Sequence, residues 1–214
     1  MQTVLLIVVI LATVGNIIAP SFFLMERREV PIDFEFVTRN EWKARDPVHI
    51  EKMKNPVPYV IIHHSYIPKA CNTSDHCIEA MLRMQSMHID TNKWNDIGYS
   101  FAVGGDGKVY EGRGWSRVGA HAPTYNNKSI GICIIGDWSD DLPPENQLET
   151  VHKLIQYGVD LGMIQRNYSL FGHRQVREGT ECPGEALFEE INNWAHFCAI
   201  APYVYPDKSN NINR

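Results

Sequence analysis

No run of lysines and arginines occurs anywhere in this sequence. With 20 basic against 25 acidic side chains and a formal net charge of −5, nothing in it is suited to displacing counterions from a phosphate backbone, so no nucleic-acid partner is expected. There is no internal repeat and no low-complexity tract, which excludes solenoids and disordered arrays. Beyond the first 25 residues no apolar stretch approaches the roughly 20 residues of a membrane span, and a slightly negative mean hydropathy argues against a polytopic membrane protein. Basic residues are missing ahead of the N-terminal apolar run. Cysteine is scarce and odd in number, five in all, so at least one thiol has no partner within the chain.

What is present fits one globular domain behind a leader. Hydrophobic residues are 44% and charged residues 21% of the 214, enough to bury a core. Thr3 to Gly15, "TVLLIVVILATVG", is apolar, and "NIIAPSFFLM" extends it weakly to Met25. Two readings stay open. The run matches the apolar core of a signal peptide, with Thr13 and Gly15 as the small residues before a cut. Residues 3–25 also approach the length of a membrane anchor, interrupted by Asn16 and Pro20. An anchor followed by Arg27 and Arg28 would place the domain in the cytoplasm, against the marks of export. Those marks are sequons at Asn72, Asn127 and Asn167, each read as lying in a polar loop, and the pair Cys71 and Cys77. These cysteines bracket "NTSDH", a short polar loop that a disulfide would close. Secretion is therefore expected, with membrane association only if the leader is retained. Residues 1–25 are read as leader, 26–35 as a charged linker, 36–205 as the folded domain and 206–214 as a polar, frayed tail.

Within the domain the patterning predicts the order β–α–β–β–β–α–β–α and hence an α/β fold, a mixed sheet with helices packed on it. "YVIIHHS" (59–65) and "SIGICIIGDW" (129–138) read as buried strands, and "SLFGH" (169–173) as a short one. "YSFAVGGDGKVYEGRG" reads as a hairpin turning at Gly104–Gly107. A helix capped by Ser74 or Asp75 is expected to bury Ile78, Met81, Leu82 and Met84 or Ser86. A second, opened by proline and closed by Gly162, carries a stripe of Leu148, Val151, Leu154, Ile155 and Val159. A last helix over 184–198 places Leu187, Ile191, Trp194 and Cys198 on one face.

The residues with chemistry are few. His63 and His64 end the first buried strand, and alternation sends them to opposite faces, so only one can enter a given site. His173 follows the short strand, and Cys182 lies in a Gly/Pro loop nine positions on. One of the two adjacent histidines, with His173 and Cys182, would supply the three protein ligands of a catalytic zinc. Two neutral imidazoles and a thiolate would leave the site at net +1, as suits a Lewis-acid centre. By spacing alone, H-x8-C is not a recognised zinc signature. Cys133 reads as a small hydrophobe within a strand; whether it and Cys198 are free or paired stays open. Trp42 and Trp194 read as core, and His152 as an exposed helical residue.

In order along the chain stand "TRNEWKAR", "YVIIHHS", "CNTSDHCIEAMLRMQ", "WNDIGYSFAVGGDGKVYEGRGW", "VGAHA", "NNKSIGICIIGDW" and "GHRQV...ECPG". Together they resemble the peptidoglycan recognition proteins, related to bacteriophage-type zinc amidases, over about Phe36 to Trp194. The resemblance implies a single domain with a central mixed β-sheet, three main helices and a groove over the sheet for a glycan-peptide. It implies a Zn2+-dependent N-acetylmuramoyl-L-alanine amidase acting on bacterial peptidoglycan fragments in innate immunity, with His63, His173 and Cys182 as ligands and Tyr99 and Thr180 assisting. Non-catalytic receptors of the family often carry serine where Cys182 stands, so the thiol favours an enzyme over a peptidoglycan-binding receptor, the alternative. Gly114 and Trp115 match the family pair that goes with diaminopimelate-type stem peptides, with Arg113 or Arg117 to pair with the extra carboxylate. His121 and His64 are expected along the groove. One departure stands out: "REGTE" makes the segment between His173 and Cys182 one residue longer than the family form, and Gly179 is expected to absorb it at positive φ.

Overall fold

The computed structural model describes the backbone of residues 7–11 and 20–24 and the whole of residues 30–202. The chain forms two compact units, Met1–Pro31 and Ile32–Arg214. In the first, strands β1 (Ile7–Leu11) and β2 (Pro20–Leu24) pair antiparallel, with Ile7 opposite Leu24. The rest of the apolar leader, and the polar tail, lie outside the described residues. Among the described residues no helix is long and apolar enough to cross a membrane.

The second unit is built on strands β3 (Phe36–Val37), β4 (Val57–His64), β5 (Phe101–Val103), β6 (Val109–Glu111), β7 (Ser129–Ile134) and β8 (Ile164–Gly172). They form one sheet in the order β3-β6-β5-β7-β4-β8. Every neighbouring pair is parallel except the β5–β6 hairpin, so the sheet is mixed, as expected. The three main helices are α1 (Ser74–Ser86), α2 (Glu145–Asp160) and α4 (Glu185–Ile191), with a single turn, α3 (His173–Val176), between the last two.

Strand alternation divides the core. Val57, Val60 and Ile62 of β4, Phe101 and Val103 of β5, and Ile130, Ile132 and Ile134 of β7 pack with Val151, Leu154 and Ile155 of α2 and Leu187 and Ile191 of α4. On the opposite face Ala102, Tyr110 and Cys133 pack with Ala80, Met81 and Met84 of α1. His63 is in register with Cys133, so it points to the α1 face and His64 to the other.

Several local expectations are corrected. The cap of α1 is Thr73, whose side chain accepts from the His76 N–H at 3.4 Å. The buried face of α1 is Cys77, Ala80, Met81, Met84 and Gln85, with Ile78 and Leu82 at its margin, because the Cys71–Cys77 disulfide draws Cys77 inward. Helix α4 stops at Ile191 rather than reaching Cys198. After it the chain returns to the sheet edge, where Leu170 N–H donates to the His196 carbonyl (2.8 Å) and Cys198 N–H to that of Leu170 (3.1 Å). Those bonds satisfy backbone groups of edge strand β8 that a longer helix would leave open. Asn167 is exposed, but on β8 rather than a loop; pairing with β4 jumps from Val57–Ile164 to Tyr59–Ser169, which leaves 165–168 as a bulged segment. Asn72 and Asn127 are exposed in a loop and a turn. Cys71–Cys77 is the one disulfide among the described residues, and Cys133, Cys182 and Cys198 are free thiols.

Ile62 is fully buried at the centre of this core, level with Ile132 on one side and Gly172 on the other. Ile62→Ala is expected to cost about 3 kcal/mol, read as a lower midpoint with an unchanged slope in guanidinium unfolding.

Candidate metal centre

Parallel pairing brings the C-terminal ends of β4 and β8 to one place. Ile62 is opposite Gly172, so His63, still within β4, and His173, the first residue past β8, come one step further on, and their rings lie 4.4 Å apart between centroids. Cys182 arrives on the loop between α3 and α4. That loop is stapled by Arg174, whose backbone N–H donates to the Cys182 carbonyl (2.8 Å) while its guanidinium reaches the Glu181 carbonyl and the Glu185 carboxylate (2.6 Å). Gly179 takes φ +76° with open space around it, a conformation glycine adopts without steric cost, as expected for a turn in the loop that carries the thiol. Thr180 Oγ1 accepts from the Cys182 N–H at 3.2 Å.

One ligating atom from each of His63, His173 and Cys182 lies within 4.8 Å of the others. His63 Nδ1 is 3.7 Å from Cys182 Sγ, close to the edge of about 3.6 Å that tetrahedral zinc–nitrogen and zinc–sulfur bonds generate. His173 Nε2 is buried with no hydrogen-bond partner, a costly state for a ring nitrogen unless something else binds it. Burial, with the neighbouring histidines, holds His63 well below the usual imidazole range. Burial also lowers His173 to about 4, with Arg177 adding to it, and His121 to about 3. All three are therefore neutral near pH 7 and offer lone pairs. Burial pushes the Cys182 thiol up to about 12; a divalent cation would favour the thiolate and give the orphan nitrogen a partner. The donor set fits zinc.

Tyr99 stands beside this group, its ring 5.2 Å from that of His63. Burial first, then Cys133 and Cys182, raises its phenol well above the usual range, so it keeps its proton. His121 is also drawn in: its Nδ1 is 3.0 Å from His63 Nε2. Ser129, which supports His121 from behind (Oγ to Nε2, 3.4 Å), escaped the sequence reading because it appeared only as the third residue of a sequon and the first of a buried strand, neither of which points to a histidine eight positions earlier.

Other candidates lie elsewhere. His64 is buried on the opposite face, where its Nδ1 accepts from the Trp138 N–H at 3.3 Å. Arg113 is not free to pair with a ligand, because its guanidinium donates to the carbonyls of Ile97 (2.7 Å), Val118 (2.7 Å) and Asp96 (3.4 Å). The Trp115 ring packs on Phe101, 4.4 Å between centroids, in the core on the α2 side. Gly114 has φ +66° beside the Glu111 side chain. A cavity of about 420 Å³ lined by His152, Arg166, Tyr168 and His196 among others contains none of His63, His173 and Cys182.

A family model described as N-acetylmuramoyl-L-alanine amidase matches residues 53–185. Peptidoglycan-recognition protein LB of Drosophila melanogaster is 52% identical over 164 residues, 77% of this chain and 70% of that protein. Among solved structures, a tyrosine-to-phenylalanine variant of Drosophila PGRP-LB in complex with tracheal cytotoxin is 51% identical, with a TM-score of 0.75 over 76% of this chain and 96% of that one. Peptidoglycan recognition protein LE, in complex with tracheal cytotoxin described as monomeric diaminopimelic acid-type peptidoglycan, is 40% identical. Its TM-score is 0.74 over 76% of this chain and 95% of that one.

The buried histidines make acid sensitivity a consequence of the fold. His64, His88 and His173 are lowered to about 4 and His121 to about 3, from an ordinary 6.5, each chiefly by burial. Above the ordinary value neither folded nor unfolded chain binds these protons. Below it the unfolded chain does and the folded chain does not, so stability is lost as pH falls from 6.5 towards 4. Chelator-treated protein should therefore melt several degrees lower at pH 5 than at pH 7; a flat profile would contradict neutral burial.

Proposed function

This chain belongs to the peptidoglycan recognition protein family, and from that premise we propose that it is a secreted, zinc-dependent N-acetylmuramoyl-L-alanine amidase that cleaves bacterial peptidoglycan in innate immunity. The observation that carries the reading is the convergence of His63, His173 and Cys182 on one point with the His173 Nε2 left unpartnered. His63, His173 and Cys182 would hold the ion. Zinc, when bound, supplies a Lewis acid that polarises the amide between N-acetylmuramic acid and L-alanine and activates water.

The chain's own residues do the rest. The imidazoles stay neutral, so they bind without first losing a proton. Tyr99 keeps its phenolic proton at any physiological pH and donates it, as a hydrogen bond, towards the amide oxygen as that oxygen gains charge. Thr180 accepts from the ligand's own backbone N–H, which leaves its hydroxyl proton free to donate in the same direction. Its placement also braces the loop that brings Cys182 to the ion.

A diaminopimelate-type stem peptide is the preferred substrate in this reading. Relatives at 51% and 40% identity are named in complex with tracheal cytotoxin, and Gly114–Trp115 matches the pair the family uses for that class. With Trp115 packed inward, Gly114 is the member that leaves room for the extra carboxylate. Of the two arginines, Arg117 is the more accessible, its side chain 17% exposed; its Nε and Nη2 donate to the Arg113 (2.6 Å) and Gly112 (3.1 Å) carbonyls, so pairing with a carboxylate would draw on Nη1 or exchange one of those bonds. The N-terminal 25 residues act as the export leader, and the exposed Asn72, Asn127 and Asn167 are the glycan acceptors.

Purified protein is expected to release stem peptides from diaminopimelate-type peptidoglycan, with one zinc per chain by elemental analysis. A chelator or Cys182→Ser should abolish release. Tyr99→Phe should lower kcat by about 100-fold or more with the zinc retained. Full activity in Cys182→Ser would overturn the ligand assignment; absence of zinc with muropeptide binding intact would make the protein a receptor.

A further inference from the structure

Behind the ligand set lies a chain of hydrogen bonds whose direction is fixed at one end. Ser129, fully buried at the start of β7, donates its hydroxyl proton to the Tyr125 carbonyl at 2.7 Å. The Ser129 oxygen therefore meets His121 Nε2, 3.4 Å away, as an acceptor, and that nitrogen carries the single proton of a neutral ring. His121 Nδ1 is left as a lone pair, 3.0 Å from His63 Nε2. Two lone pairs cannot face each other at that distance, so His63 carries its proton on Nε2. Its Nδ1 is then an unprotonated donor atom on the side of Cys182 Sγ.

The slot for the His121 ring is built into the sheet. A Cβ at Gly131 of β7 would come within 2.5 Å of the ring's Cγ and Cδ2, and one at Gly119 within 2.5 Å of its Cδ2. Glycine at both places allows the close approach. Asn126 Oδ1 accepts from the backbone N–H groups of His121 and Ala122, both at 2.8 Å, so the loop is held as well as the ring.

We infer that His121 is a positioning residue for metal binding: the path Tyr125 carbonyl–Ser129–His121–His63 locks His63 in the Nε2–H tautomer and presents Nδ1 as a prepared ligand. The inference rests on the zinc reading and adds to it a role distinct from lining a groove, because His121 acts on the ring nitrogen that faces away from Cys182. An outer partner of this kind typically accounts for 10–100-fold in metal affinity.

The test uses the full chain with zinc as the probe. Zinc affinity is measured by competition with a chromophoric chelator, and the His63 tautomer by long-range proton–nitrogen-15 correlation on metal-free protein. His121→Ala should bind zinc about 10–100-fold more weakly and show His63 as a mixture of tautomers. Ser129→Ala, which touches no ligand, should weaken binding in the same direction. His121→Asn, which keeps an acceptor near the Nδ1 position, should recover most of the affinity, which a folding defect alone would not predict. Wild-type affinity and an unchanged His63 tautomer in His121→Ala would overturn the inference while leaving the amidase reading intact. If the wild type takes up no zinc, the amidase reading falls, and the tautomer spectra of the metal-free proteins still decide whether His121 sets the His63 proton.

Discussion

Strand β4 is hydrogen-bonded on both sides by parallel neighbours, β7 and β8, and its register with them is what assembles the site. His63 is level with Cys133, and His173 follows the glycine paired with Ile62. A slip of one residue would exchange the faces of His63 and His64 and turn Ile62 out of its core. The register is protected by burial: Val60 and Ile62 on one face and Ile61 on the other are inaccessible to solvent, so a slip would misplace apolar side chains on both sides at once. The site inherits its precision from the core.

The same burial makes the site expensive in the absence of an ion. A ring nitrogen of His173 lacks a partner, a thiol is held far above its ordinary range, and several imidazoles are kept from protonating. Structures tolerate such groups where function requires them and compensate elsewhere. Here the compensation is visible in the polar supports around the site. Arg174 staples the Cys182 loop, Asn126 holds the His121 loop, and Arg113 ties the segment around Asp96 to Val118 through backbone carbonyls. Arg113 illustrates how chemistry suited to ligand recognition can be used for structure: a guanidinium has the same fork of donors for a carboxylate as for three carbonyls.

The loop between His173 and Cys182 is turned at one residue and held at both ends. Its backbone turns through positive φ at Gly179, where a side chain would meet nothing, and both ends are fixed by Arg174 and by the start of α4. The turn sits in open space, and the fixed ends hold Cys182 near His63. Thr180, next to the turn, is drawn into a local bond with the Cys182 N–H, which ties its hydroxyl to the ligand it precedes.

The order of the main elements from β4 onward, the mixed sheet, the hairpin at Gly104–Gly107, the stripe on α2 and the candidacy of His63 or His64, His173 and Cys182 were all legible in the sequence. Each rests on local periodicity, on turn chemistry or on ordered motifs that survive without knowledge of contacts. The cap at Thr73, the rotated face of α1, the early end of α4 and the engagement of Arg113 were not. The first two were decided by specific local contacts, the Thr73–His76 hydrogen bond and the Cys71–Cys77 disulfide, which periodicity does not report; the other two were decided by groups the fold brings near, an edge strand needing hydrogen bonds and backbone carbonyls. The sequence by itself determined which residue types were available for a metal and on which strands they sat. The family resemblance pointed to His63 rather than His64; the tertiary structure shows the physical reason, with His63 facing His173 and Cys182, and it alone placed His121 and Ser129 behind it. Which face a strand residue takes, and which nitrogen of a ring keeps its proton, depend on register and on hydrogen-bond partners across the sheet, and neither is encoded in any single stretch of chain.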